Sequence, residues 1–146
     1  MKEKNVVIDS NLLIKSKLSE DESKKASKLI RNYITNDYVF IEPPIFEIEI
    51  YSVLIARGGD VKEVYSMINQ LKKDNLKVVD MEFEYFNKAC EIVESGNNKS
   101  GYPSLYDAIY HAIAVVEDID FITADKKHYE KTKHFGNIKL FPDYRP

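Results

Sequence analysis

Four carboxylates stand where they could act together. Asp9 closes the apolar run Val6-Val7-Ile8 ahead of Ser10-Asn11, and Asp125 closes Phe121-Ile122-Thr123-Ala124. In an open parallel sheet, ligands gather beyond the carboxyl ends of the strands, so strand-end aspartates distant in sequence can be neighbours in space. Glu49 and Asp107 lie in helical stretches between them. With Pro44 to Arg57 on a helix, Ile45, Ile48, Val53 and Ala56 flank Glu49 and turn it toward the apolar arc, whereas Glu47 points the opposite way and reads as a solvated surface acid. A carboxylate on a core-facing stripe is costly unless it is paired, hydrogen-bonded or metal-bound.

Each acid also has a plainer role. Asp9 and Asp125 precede helical stretches, where aspartate is a favoured N-cap. Ser104-Leu105-Tyr106-Asp107 matches a capping box ahead of the apolar run 108–116. Yet four converging carboxylates without a basic partner would repel one another, and a divalent cation resolves that conflict. Oxygen-only ligation suits Mg2+ or Mn2+ rather than Zn2+, because no His or Cys is spaced as a ligand. The chemistry that follows is attack of a metal-activated water on a phosphodiester. His111, in an apolar helical run, reads as a packed, hydrogen-bonded histidine. His128 and His134 fall in a lysine-rich segment and read as surface residues.

Helical and extended patterns alternate along the chain. Strands are expected at Asn5–Ile8, Tyr38–Ile41, Leu76–Val79, Ile119–Ile122 and Ile138–Phe141. Helices are expected at Glu22–Ile34, from Pro43-Pro44 to about Ala56 with Gly58-Gly59 as the stop, and at Val61–Lys73. Further helices follow at Met81–Glu94, Ser104–Glu117 and Lys126–Lys133, with a loop over Ser95–Gly101. Such alternation implies an α/β sandwich with a mostly parallel sheet.

At 146 residues the chain fits one domain, 1–146, and can bury a sizeable core without staples. Its 44% hydrophobic and 31% charged residues describe a globular protein rather than a disordered one. The net charge of −3 gives no broad basic footprint for nucleic acid, so any such contact must be local or metal-mediated. The single Cys90 suits a reducing cytoplasm and reads as a small core hydrophobe. The start, Met1-Lys2-Glu3-Lys4-Asn5, leads no signal-like apolar run, and nothing in the chain approaches a membrane span. The lysines of 15–31 and 126–133 read as solvated faces.

The motifs together resemble the PIN domain, the nuclease fold of VapC-type toxins. The resemblance rests on Val7-Ile8-Asp9-Ser10-Asn11-Leu12-Leu13-Ile14, Glu49-Ile50-Tyr51-Ser52-Val53-Leu54, Tyr106-Asp107-Ala108 through Ala114, and Ile122-Thr123-Ala124-Asp125. It implies a three-layer α/β/α fold of about five parallel strands, and it makes Asp9, Glu49, Asp107 and Asp125 a catalytic quartet around Mg2+ or Mn2+. Asn11 and Thr123 become polar supports. Where the family pattern often has Asn three residues after the glutamate, this chain has the shorter Ser52. The resemblance further implies an RNA substrate, frequent homodimers and, for toxin members, a cognate antitoxin seated in the groove. Tyr102, Tyr106 and Tyr110 are candidates to stack bases.

Two other functions compete. A phospho-acceptor receiver domain would place its acceptor at the end of a central third strand, here Val79-Asp80-Met81, and a catalytically silent PIN-like module would bind RNA or protein without cleaving. An aspartate-nucleophile phosphatase is set aside because the position two after Asp9 is Asn11.

Overall fold

The computed structural model describes residues 4–16, 21–99 and 101–141. The expectations that Met1–Glu3 begin no leader, that Lys17 belongs to a solvated face and that Ser100 lies in a loop fall outside those residues. Short runs rich in β-branched and aromatic residues form strands β1 (Asn5–Ile8), β2 (Val39–Glu42), β3 (Leu76–Val78), β4 (Asp120–Thr123) and β5 (Ile138–Leu140). They make one sheet in the order β3-β2-β1-β4-β5, with every neighbouring pair parallel. Val6, Val7, Ile8, Phe121 and Ile122 are all buried, as a sheet covered on both faces requires.

Among the described residues the helices are α1 (Ser10–Ser16), α2 (Asp21–Thr35), α3 (Ile45–Ala56), α4 (Val61–Asp74), α5 (Phe83–Glu94), α6 (Leu105–Glu117) and α7 (Lys126–Thr132). The result is the three-layer α/β/α sandwich expected, with a sheet that is wholly parallel. Helix α6 lies across β1, β2 and β4 and is itself covered by α5, which explains why every residue from Ala108 to Ala114 is buried. Asp60 caps α4 by accepting the Lys62 amide at 2.9 Å, and Asp118, at φ 52°, closes α6 in the left-handed region that Asp tolerates.

Several expectations change. The helical stretch expected after Asp9 had no marked extent and is α1: its core residues Leu12, Leu13 and Ile14 are consecutive rather than helically spaced, and packing against α2 and α3 decides its form. On α3 the core stripe is Phe46, Ile50 and Leu54, so Ile48 and Ala56 are exposed and Glu49 sits at the edge of the stripe instead of its middle. Glu47 is half-buried and pairs with Lys72 of α4 rather than standing free in solvent. Cys90 is exposed, because it lies about 100° round α5 from the buried Ala89 and off the stripe of Tyr85, Ala89 and Ile92. His128 is buried, whereas His134 is exposed. Strand β3 is an edge strand and Asp80 beyond it is exposed, so the receiver arrangement, with its acceptor on a central strand, does not occur. No helix among the described residues is long and apolar enough to cross a membrane.

Helix α6 is packed between the sheet and α5. Ile113→Ala, at a fully buried position of that helix, should cost on the order of 2–5 kcal/mol. Urea unfolding should show this as a lower midpoint with an unchanged slope.

Candidate active site

The chain crosses from one half of the sheet to the other between β3 and β4, leaving β1 and β4 as the neighbours at which strand order reverses. A crevice forms beyond the carboxyl ends of two such strands. Their pairing runs from Val6↔Asp120 to Ile8↔Ile122, and the Asp9 amide extends it by donating to the Ile122 carbonyl at 3.0 Å. Asp9 is thereby carried to the mouth of the crevice at 4% exposure.

One threonine links the two strand-end aspartates. The Thr123 hydroxyl donates to Asp9 Oδ2 at 3.1 Å and accepts the Asp125 amide at 3.0 Å. Asp9 Oδ1 accepts the Asn11 amide at 3.1 Å, so it is the backbone of Asn11, whose side chain is exposed, that meets the carboxylate. Asp125 is half-buried and caps α7, its Oδ1 accepting the His128 amide at 3.0 Å. The capping role and the site position therefore coexist in one residue.

The other two acids come from helices. On α3, Glu49 is half-buried and accepts the Tyr110 hydroxyl of α6 through Oε1 at 2.5 Å, with the Ser10 hydroxyl also bonding to it. On α6, Asp107 lies one turn before Tyr110; its amide donates to Ser104 Oγ at 3.1 Å, the first half of the expected capping box. Tyr110 is buried, which removes it from base stacking, whereas Tyr102 and Tyr106 are exposed beside Asp107 in sequence.

Electrostatics shows the four acids sharing one region. Burial is the largest effect on the Asp9 carboxyl, pushing it up to about 6; Asp107 and Glu49 push the same way, while the bonds from Asn11 and Thr123 oppose them. Glu49 is raised first by burial and also by Asp107, against the pull of Tyr110 and Ser10. Asp107 is raised by burial and by Asp125. Repulsion between acids thus adds to burial, which is the larger effect on Asp9, Glu49 and Asp107. Among the described residues no three His, Cys, Asp or Glu side chains are drawn close enough to hold a metal ion as they stand. The donor set nonetheless fits a hard divalent cation: it is all oxygen, and the mutual repulsion is what such a charge would relieve.

The roles of three residues in this region escaped the sequence reading. Ser10 and Tyr110 support Glu49, which no spacing rule announces because the contact joins α1, α3 and α6. Glu42, fully buried at the end of β2, carried a visible signal: it closes Val39-Phe40-Ile41 as Asp9 closes its own strand.

Comparison with known proteins bears on the same elements. The pattern of the PIN domain matches residues 6–134. The chain belongs to the PIN domain family. PIN domains are in general nucleases. Among solved structures, this PIN domain resembles VapBC2 from Rickettsia felis, determined bound to a DNA fragment from its promoter, at TM-score 0.69 and 11% identity over 94% of this chain and 98% of that one. It also resembles PAE2754 from Pyrobaculum aerophilum, at TM-score 0.52 and 20% identity over 91% and 89% of the two chains. At such identities the likeness is one of fold. A search of curated proteins finds no match.

Burial of Asp9 makes a stability prediction. Its carboxyl titrates at about 6 when folded against 3.8 as an ordinary aspartate, so between those values the native state holds a proton that the unfolded chain has released. The contribution of Asp9 to stability therefore falls as pH rises through this window, by an amount on the order of 2–3 kcal/mol. Without metal, Asp9→Asn should melt several degrees above the wild type at pH 8, and the gap should close toward pH 4. His111 and His128, whose burial lowers them to about 4, act oppositely but are present in both proteins, so differential scanning calorimetry of the pair reports Asp9 together with its coupling to Glu42, Glu49 and Asp107.

Proposed function

We propose that this PIN domain is a metal-dependent endoribonuclease of the VapC type, hydrolysing RNA phosphodiesters with Asp9, Glu49, Asp107 and Asp125 as its catalytic residues and as ligands of Mg2+ or Mn2+. The observation that carries the reading is that one Thr123 hydroxyl joins Asp9 and Asp125 at the strand-order reversal of a PIN-family chain. Burying like charges together is destabilising for folding alone.

When bound, such an ion supplies activation of a water and neutralisation of charge on the phosphate. The chain's own groups do the rest. Thr123 and the Asn11 amide orient the Asp9 carboxylate, and Tyr110 with Ser10 orients Glu49. The exposed Tyr102 and Tyr106, shortly before Asp107 in the chain, offer rings on which unpaired bases could stack. An antitoxin partner is supported by the VapBC2 likeness and by an open groove of about 580 Å3 between α3 and α4, whose wall includes the exposed Ile55, Val61 and Tyr65. A cytoplasmic homodimer completes this reading.

The alternative, a catalytically silent module, is favoured by one observation: the acids are not drawn together around a point. The two separate cleanly. RNA cleavage should vanish in excess chelator, return with Mn2+, and be abolished by Asp9→Asn or Glu49→Gln in folded protein. Isothermal calorimetry should show Mn2+ binding that weakens in the same variants. Cleavage that survives chelator, or binding indifferent to the quartet, would sink the nuclease reading.

A further inference from the structure

Glu42 stands at the same end of the sheet as the quartet and has no part in the reading above. Strands β1 and β2 pair through Asn5↔Val39 and Val6↔Phe40 and then part, while β1 stays on β4 as far as Ile8↔Ile122. Alternate amides of a strand face opposite neighbours; the Asp9 amide goes to β4, so the Ile8 amide faces β2. There it meets no backbone carbonyl. It donates instead to Glu42 Oε1, at 2.7 Å.

The backbone of Glu42 remains in the sheet, paired with Val78 of β3 and accepting the Val79 amide at 2.9 Å. The residue is therefore anchored to β3 by its main chain and to β1 by its side chain. It spans the place where β1 and β2 separate, and Pro43 beyond it has no amide with which to continue the ladder.

This arrangement has a cost. Glu42 is 0% exposed, its Oε2 has no hydrogen-bond partner among the described residues, and the acids acting on it are Asp9 and Glu49. An apolar side chain would fill the same volume without a buried polar atom. What an apolar side chain cannot do is accept the Ile8 amide.

We propose that Glu42 is a positioning residue: by accepting the Ile8 amide it holds the end of β1 apart from β2 and fixes the peptide from which Asp9 projects toward the other acids. The proposal rests on the reading of Asp9 as a metal ligand, and it assigns Glu42 to the support of that ligand, not to the ion.

Two near-isosteric variants test it. Glu42→Gln keeps the acceptor and the volume, whereas Glu42→Met keeps the volume alone. In folded protein, E42M should weaken Mn2+ binding by roughly 10–100-fold, the range typical of lost outer supports, and should speed hydrogen exchange at the Ile8 amide. E42Q should match the wild type in both. An E42M that binds Mn2+ normally and keeps Ile8 protected would overturn the proposal. So would an E42Q that loses Mn2+ affinity, a result that would make the carboxylate itself a ligand and is decisive even if E42M fails to fold. A wild type that binds Mn2+ without cleaving RNA would defeat the nuclease reading and leave this one standing. If the wild type binds no Mn2+, the Ile8 amide decides: protection lost in E42M and kept in E42Q supports the tie, and any other pattern overturns it.

Discussion

The parallel pairing of β1 with β4 is the constraint on which the site depends. It joins segments 114 residues apart through the Thr123–Asp9 bond, and it makes one threonine hydroxyl serve both strand-end aspartates. Without that pairing Asp9 and Asp125 are two helix caps at opposite ends of a chain. With it they flank the point where strand order reverses, and a parallel sheet offers an open crevice there and nowhere else along its upper edge.

Helix α6 supplies the second half of the arrangement. Because it is covered by the sheet below and α5 above, its polar residues cannot all escape to solvent. Tyr110 resolves its buried hydroxyl by bonding Glu49, and His111 resolves one ring nitrogen on the Gly136 carbonyl at 2.8 Å. Asp107, at the helix's first turn, is left half-buried among carboxylates. The site is thus a place where burial, which favours neutral groups, works against the ionised forms that metal binding needs. That tension explains why Asp9, Glu49 and Asp107 are raised above the ordinary carboxylate range, and why hydrogen bonds from Thr123, Ser104, Ser10 and Tyr110 are spent on them.

Much of this was legible along the chain. Strand ends, the Ser104 cap and the order of elements follow from local rules, because an apolar β-branched run or a Ser-x-x-Asp pattern acts through its near neighbours. The misreadings share a cause. Cys90 and Ile48 were judged by the apolarity of their segments, but which face of a helix is buried depends on what packs against it. His128 was judged by its lysine neighbours, yet its ring lies 5.6 Å from His111 and 6.2 Å from Phe121, contacts that no neighbouring residue announces. Helix α1 has consecutive buried residues and so no period to detect.

By itself the sequence determined the element types other than α1, the parallel α/β class and the identities of the acids, since each is encoded in short-range pattern and residue chemistry. Tertiary structure alone decided which acids meet, because only the strand order brings β4 beside β1. It also decided which supports they have. Tyr110, Ser10 and Glu42 act across elements, through bonds of 2.5 and 2.7 Å for Tyr110 and Glu42, and a hydrogen bond of that length is set by packed distance, which has no image in sequence separation.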